Sequence, residues 1–188
     1  MELTSLDLSI LMEEFKQLEE GHVQKVYQRD DELTVEVYVA GEGKKRLVIG
    51  TNYAFLSKYK RENPTRPPGF AMELRKHLGR VDSIKQRGFD RILELKSGDT
   101  RLICEIFGKG NFILVKDDKI IGALRQEEWA DRDILVGEEY RYPEPTEDPR
   151  EMDDYVDNLS DGEVVRKIAS DLSLGGTYAE EICSSLLR

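Results

Sequence analysis

Residues 81–124 read VDSIKQRGFDRILELKSGDTRLICEIFGKGNFILVKDDKIIGAL. Apolar side chains recur in short runs at 81–86, 91–96, 101–107, 111–115 and 119–124. Turn-forming residues separate the runs: Gly88, Ser97-Gly98-Asp99, Gly108-Lys109-Gly110 and Asp117-Asp118. Strands joined this closely pair antiparallel, because a parallel pair needs a long crossover. Many short strands with such turns predict a sandwich or a barrel.

Upstream, Leu33, Val35, Val37 and Val39 alternate with Thr34, Glu36 and Tyr38, and runs at 23–28 and 46–49 flank them across Asp30-Asp31 and Gly41-Glu42-Gly43. A second antiparallel meander is expected there. Ahead of it, Thr4 and Asp7 have capping-box spacing, and Leu8, Leu11, Phe15 and Leu18 follow at helical spacing until Gly21. Between the two strand regions an irregular stretch ends in Pro67-Pro68, and Phe70, Leu74 and Leu78 then fall on one face of a short helix closed by Gly79.

Downstream the composition changes. Eleven acidic residues lie between Glu138 and Glu163 against Arg141 and Arg150, with Pro143, Pro145 and Pro149 among them, so residues 143–157 are expected to be an acidic linker. Val164, Val165 and Ile168, then Gly175-Gly176, then residues 178–187 predict two helices joined by a glycine turn. The last helix runs to Arg188 without a stop signal, so the natural protein is expected to continue. The expected division is therefore 1–142, a β-sandwich or barrel with flanking helices; 143–157, the linker; and 158–188, the start of a helical region.

The chain has 188 residues, 39% of them hydrophobic and 35% charged, enough for one good core and the start of a second. Its 28 basic and 38 acidic residues leave a net charge of -10, which excludes a chain that coats nucleic acid or anionic lipid with its whole surface. Any polyanion must meet a local patch. Residues 58–91 supply one: ten basic residues against Glu62, Glu73, Asp82 and Asp90, an excess of 10 - 4 = +6. Such a reversal could form a phosphate-binding face, but charge runs are usually solvated surface, here with ion pairs to the acidic linker. No apolar run spans a membrane and Met1-Glu2-Leu3 carries no export signal, so a cytoplasmic protein is expected.

The chemistry-bearing residues are few. Cys104 and Cys183 lie far apart with only His22 and His77 to join them, so no zinc cluster is expected. Reduced, partly buried thiols are the expectation, with a lone disulfide left open. Asp90-Arg91, at the tip of a predicted hairpin, places an exposed carboxylate beside a guanidinium, a pair that reads a base edge and clamps a phosphate. A turn aspartate capping its own backbone accounts for the same residues. Asp7 is explained by its cap and is also placed to approach a ligand. Gly108-Lys109-Gly110-Asn111 lacks the Lys-Ser/Thr and the strand-to-helix context of a phosphate loop, so a hairpin turn is expected. No nucleophile arrangement can be assembled.

Five phrases carry a resemblance. They are Ser5-Leu6-Asp7-Leu8, Pro67-Pro68-Gly69-Phe70-Ala71-Met72-Glu73-Leu74-Arg75-Lys76-His77-Leu78, Gly88-Phe89-Asp90-Arg91, Phe107-Gly108-Lys109-Gly110-Asn111, and Gly175-Gly176-Thr177-Tyr178-Ala179-Glu180-Glu181-Ile182-Cys183. In this order, across nearly the whole chain, they resemble the NFACT family, which includes NEMF, RqcH and the proteins called fibronectin-binding protein A-like. The resemblance implies an α+β fold: an antiparallel β-sandwich with flanking helices, similar to the N-terminal domain of formamidopyrimidine-DNA glycosylases, followed by the start of a helix-hairpin-helix-like region. It implies a ribosome-associated quality control factor that binds large ribosomal subunits obstructed by peptidyl-tRNA and recruits tRNA for template-free tailing of the stalled chain. Asp7, Asp90 and Arg91 match the family's functional motif and are expected to hold tRNA. Arg75, Lys76 and His77 are added as phosphate contacts on charge and position alone.

Base excision is not expected, because the similar glycosylases use an N-terminal proline amine and this chain opens Met1-Glu2. An adhesin would need export. No cofactor, metal, membrane or DNA partner is expected, and peptide transfer would use the ribosome's own centre, so the chain is not expected to be an enzyme. A protein-interaction scaffold without tRNA preference is the alternative.

Overall fold

The computed structural model describes residues 3–60, 64, 66–129, 132–146, 148, 150, 164–171 and 174–186. Most of the expected linker, at 147, 149 and 151–157, and residues 158–163 lie outside the described residues.

Thr4 caps the first helix, α1 (Ser5–Phe15), by the reciprocal bonds its spacing with Asp7 predicts, and a single 3-10 turn at Lys16–Leu18 finishes the run. Strands β1 (His22–Arg29), β2 (Glu32–Val39), β3 (Gly43–Ile49) and β4 (Ala54–Ser57) form an antiparallel sheet in that order. β4 falls in the stretch expected to be irregular: it is four residues long and takes its register from β3 rather than from an alternation of its own. Helix α2 (Gly69–His77) follows Pro68 and buries Ala71 and Leu74.

The second sheet is the one on which the sequence reading rested. β5 (Ser83–Gln86), β6 (Ile92–Ser97), β7 (Thr100–Glu105), β8 (Asn111–Lys116) and β9 (Lys119–Ala123) pair antiparallel in chain order. A two-stranded ribbon follows, β10 (Glu127–Glu128) with β11 (Asp133–Ile134), too short to carry a periodic signal. The sheets face each other. Leu33, Val35 and Val37 of β2, Leu102 and Cys104 of β7, and Phe112 and Leu114 of β8 share one core with Leu8, Met12 and Phe15 of α1. The fold is thus an α+β antiparallel sandwich, and the barrel alternative is resolved against.

Gly108 and Gly110 have φ of 58° and 67°, as the hairpin reading of that phrase requires. At Gly110 a Cβ would stand 2.6 Å from the Thr51 side chain, so this turn packs directly on the loop between β3 and β4.

The far face of the second sheet is covered as well. Ile92, Ile103, Ile113 and Val115 pack there against Ile134 and Tyr140. A third apolar cluster joins Phe89, in the β5–β6 turn, to Ile168 of α3 (Val164–Asp171) and Leu174 and Ala179 at α4 (Gly175–Leu186). Helix α4 begins three residues earlier than the sequence suggests. Gly175 and Gly176 open it: Gly175 has φ of 71°, a left-handed conformation that favours glycine, and a Cβ there would stand 3.2 Å from Thr4 Cγ2.

Candidate RNA-contacting site

The site grows from the start of α1. Asp7, at the third helical position, takes the Thr4 N–H (2.9 Å) and the Thr4 hydroxyl (2.7 Å) on Oδ2, which closes the capping box. Oδ1 is left over, and the hydroxyl of Tyr178 on α4 donates to it at 2.7 Å. Burial alone would raise the Asp7 pKa, but the bonds from Tyr178 and Thr4 outweigh it and hold the carboxyl below its usual value. The same bond pushes the Tyr178 hydroxyl pKa up.

Above this contact lies a cavity of about 450 Å3 whose walls include Thr4, Asp7, Arg91, Gly175, Gly176 and Tyr178. Helix geometry leaves the first N–H groups of α4 without intrahelical acceptors, and the helix dipole adds positive potential there. Arg91 stands at the start of β6 with its Nη1 3.5 Å from the Leu3 carbonyl. The Arg91 guanidinium, the N-terminus of α4 and the Asp7 carboxylate open on one cavity, which therefore offers both hydrogen-bond donors and an acceptor to a polar ligand.

Asp90 does something else. It is 9% exposed rather than open at a hairpin tip, and its Oδ1 accepts the N–H of Thr146 at 3.1 Å. The carboxylate caps a backbone 56 residues away instead of its own turn. The reason is tertiary: the segment after β11 runs back over the β5–β6 turn, and its N–H needs a buried acceptor. Phe89, between Gly88 and Asp90, fills the apolar cluster under α3 and α4, and the Arg150 guanidinium lies 4.9 Å from its ring centroid. Three consecutive side chains thus have three separate jobs.

Asp7 and Arg91 meet in the cavity, with Asp90 beside it in the chain. Arg75, Lys76 and His77 do not line it. Arg75 donates from Nε to the Val26 carbonyl at 2.7 Å, and Lys76 and His77 stand 4.0 Å and 3.6 Å from Glu73 on their own helix. The basic stretch is partly neutralised by near neighbours: Arg80 pairs with Glu20, and Lys85 with Glu94 at 3.5 Å.

Sequence reasoning missed Phe89, Thr146 and Tyr178 as parts of the site. It also missed a buried polar layer behind it. Glu105, 4% exposed, receives both Nη atoms of Arg132 (2.6 and 2.9 Å) and the hydroxyl of Tyr140 (2.8 Å). Glu94, also 4% exposed, accepts the hydroxyl of Tyr142, on whose ring Arg87 stacks at 4.5 Å. Burial and the bond to Glu94 push the Tyr142 pKa up to about 12. This layer fixes the segment that Asp90 then caps at Thr146. Among the described residues no group of three or more His, Cys, Asp or Glu is arranged to hold a metal ion, and no helix is long and apolar enough to cross a membrane. Cys104 is buried and Cys183 half-buried, and neither is in a disulfide.

The family model for NFACT N-terminal and middle domains matches residues 4–187. The chain belongs to the NFACT family. Among NFACT relatives it is 35% identical over 206 aligned residues to the Archaeal Rqc2 homolog aRqcH of Methanocaldococcus jannaschii, a match covering 97% of this chain and 31% of that protein. It is 33% identical over 132 residues to the Ribosome quality control complex subunit 2 of Saccharomyces cerevisiae, covering 66% of this chain and 13% of that protein. With the Rqc2 homolog RqcH of Bacillus subtilis it shares 30% over 150 residues, covering 68% of this chain and 26% of that protein. This NFACT chain therefore spans about a third or less of the length of these relatives. In structure it is similar to the N-terminal domain of the fibronectin-binding protein PavA of Streptococcus pneumoniae, with a TM-score of 0.85 and 26% identity over 98% of this chain and 79% of that one. The N-terminal part of the fibronectin/fibrinogen-binding protein of Streptococcus suis gives 0.81 and 28%, over 97% and 79%.

Proposed function

We propose that this NFACT chain is the tRNA-facing part of a cytoplasmic ribosome-associated quality control factor, one that binds large subunits obstructed by peptidyl-tRNA and recruits tRNA for template-free tailing of the stalled chain. The observation that carries the reading is the single cavity shared by Asp7, Arg91 and the N-terminus of α4. A backbone phosphate fits such a place: the guanidinium gives a charged, forked donor and the helix end gives N–H groups. In this reading Arg91 touches RNA. Asp7 and Asp90 act as positioning residues, the first holding Tyr178 and so the start of α4, the second holding Thr146. Residues 1–142 supply the sandwich, and helices α3 and α4, in the helical part expected at 158–188, close the cavity. The chain works as an adaptor without cofactor or metal, and peptide transfer falls to the ribosome.

The test is a fluorescence titration of tRNA, an isolated anticodon stem-loop and scrambled RNA across a salt series, with Arg91→Ala and Asp90→Asn alongside. Loss of one phosphate contact at Arg91 reduces the salt slope by about 1 and weakens tRNA binding by about tenfold. Equal affinity of the wild-type chain for tRNA and scrambled RNA sinks this reading and leaves the protein-interaction scaffold.

A further inference from the structure

The phrase Phe107-Gly108-Lys109-Gly110-Asn111 makes the turn between β7 and β8, and it is fastened beyond what a hairpin needs. Asn111, 2% exposed, accepts the N–H groups of Phe112 (2.9 Å) and Arg125 (3.1 Å) on Oδ1 and donates from Nδ2 to the Arg125 carbonyl (2.9 Å). Arg125 donates from Nη1 to the carbonyls of Lys109 (3.2 Å) and Gly110 (2.6 Å), and pairs with Asp31 of the β1–β2 turn. Gly110 closes on Thr51 with no room for a Cβ. Amid these anchors one charged side chain points outward. Lys109 is exposed, and among the described residues its ammonium has no hydrogen-bond or ion-pair partner.

The turn stands at the same end of the sandwich as the cavity, and it is joined to the cavity wall on two sides. Through the second sheet, the Ile106 N–H donates to the Arg91 carbonyl at 2.8 Å, and Lys109 follows Ile106 by three residues, a reach of at most about 11 Å. Through the first, Gly110 packs on Thr51, and the carbonyl of the next residue, Asn52, accepts the N–H of Leu3 at 3.0 Å, itself a wall of the cavity. An ammonium on a mobile loop costs entropy to place, whereas one on a turn held by Asn111 and Arg125 is set in advance at a short distance from Arg91.

We infer that Lys109 is a second phosphate contact, a positioning residue that takes a backbone phosphate of the same RNA whose neighbouring stretch lies at Arg91. A single ammonium acts as a point charge, so it fixes the register of the strand without reading its bases. The inference deepens the RNA reading above and rests on it for RNA as the partner.

Titration of tRNA against the full chain across a salt series tests it with two substitutions of equal charge, Lys109→Ala and Lys96→Ala. Lys96 is also exposed and lies on β6, five residues from Arg91 and so about 17 Å along the strand toward the other end of the sheet. Lys109→Ala is expected to lower the salt slope by about 1, Lys96→Ala to leave it unchanged, Lys109→Arg to restore it, and Lys109→Ala with Arg91→Ala to lower it by about 2. Bound tRNA is expected to slow reductive methylation of Lys109 and not of Lys96. Both alanine changes are at exposed side chains, and unchanged thermal melting confirms that the fold is intact. Equal slopes for the two alanine variants, or methylation of Lys109 at one rate with and without tRNA, overturns the inference. The RNA reading fails separately, by equal affinity of the wild-type chain for tRNA and scrambled RNA, and the Lys109 slope is then read on either RNA.

Discussion

Asp7 serves two elements with one carboxylate. Its capping role was legible in the sequence, because Thr4 and Asp7 stand three apart before an apolar helical run. Its bond to Tyr178, 171 residues away, had no local signal. The two folded-state shifts define a pH window for that bond. The Asp7 pKa is held below 3.8, so its contribution is present above that value and is lost as pH falls through the lower folded one. The Tyr178 pKa is raised above 10.0, so its contribution is full below 10 and is lost as pH rises through the higher folded one. Tyr178→Phe, which keeps the ring, is expected to speed hydrogen exchange in α4 by about fivefold at neutral pH, the equivalent of about 1 kcal/mol for one net bond. The difference from wild type should vanish at strongly acidic and strongly alkaline pH. A difference that persists unchanged at both extremes would show that the hydroxyl acts otherwise.

At the scale of elements, the strands of the second sheet were legible because β-branched and leucine residues alternate with turns at short intervals. Their outer face was not. Glu94 and Glu105 occupy the positions that alternation assigns to solvent, yet both are buried beneath residues 132–142. Periodicity reports which face a residue lies on and not what later covers that face. Glu105→Gln leaves Arg132 buried beside a neutral group and is expected to destabilise the chain by about 3–5 kcal/mol. Replacing both partners by leucine should cost much less than the single change, because no uncompensated charge remains. Urea midpoints of the two variants check this; equal losses would show that packing rather than charge governs the site.

On the scale of the whole molecule, the docking of α3 and α4 on the sandwich assembles the cavity. The buried apolar members of that joint are Phe89, Ile168, Leu174 and Ala179, with Leu6, Val164, Ala169, Tyr178 and Cys183 packed against them. Phe89→Ala removes the largest of the buried members, a loss of about 3–5 kcal/mol that falls on the joint and not on the core between the sheets. The expected outcome is loss of amide protection throughout 164–186 with strands β1 to β9 unaffected, together with loss of the tRNA preference even though Arg91 is untouched. Retained preference with an undocked helical pair would remove α4 from the site.

What the sequence by itself determined is local: the capped first helix, two antiparallel meanders with their turns, the proline-started α2, and the motif phrases that place the chain among NFACT proteins. Each rests on contacts within a few residues, where spacing, turn chemistry and capping act. The tertiary structure alone decided that Asp90 is covered, that Gly175-Gly176 opens a helix instead of linking two, that Arg75 stands apart from Arg91, and that two glutamates lie beneath tyrosines. Those outcomes depend on which distant segment takes up a buried donor, acceptor or charge, and neither periodicity nor residue spacing along one chain records the partner.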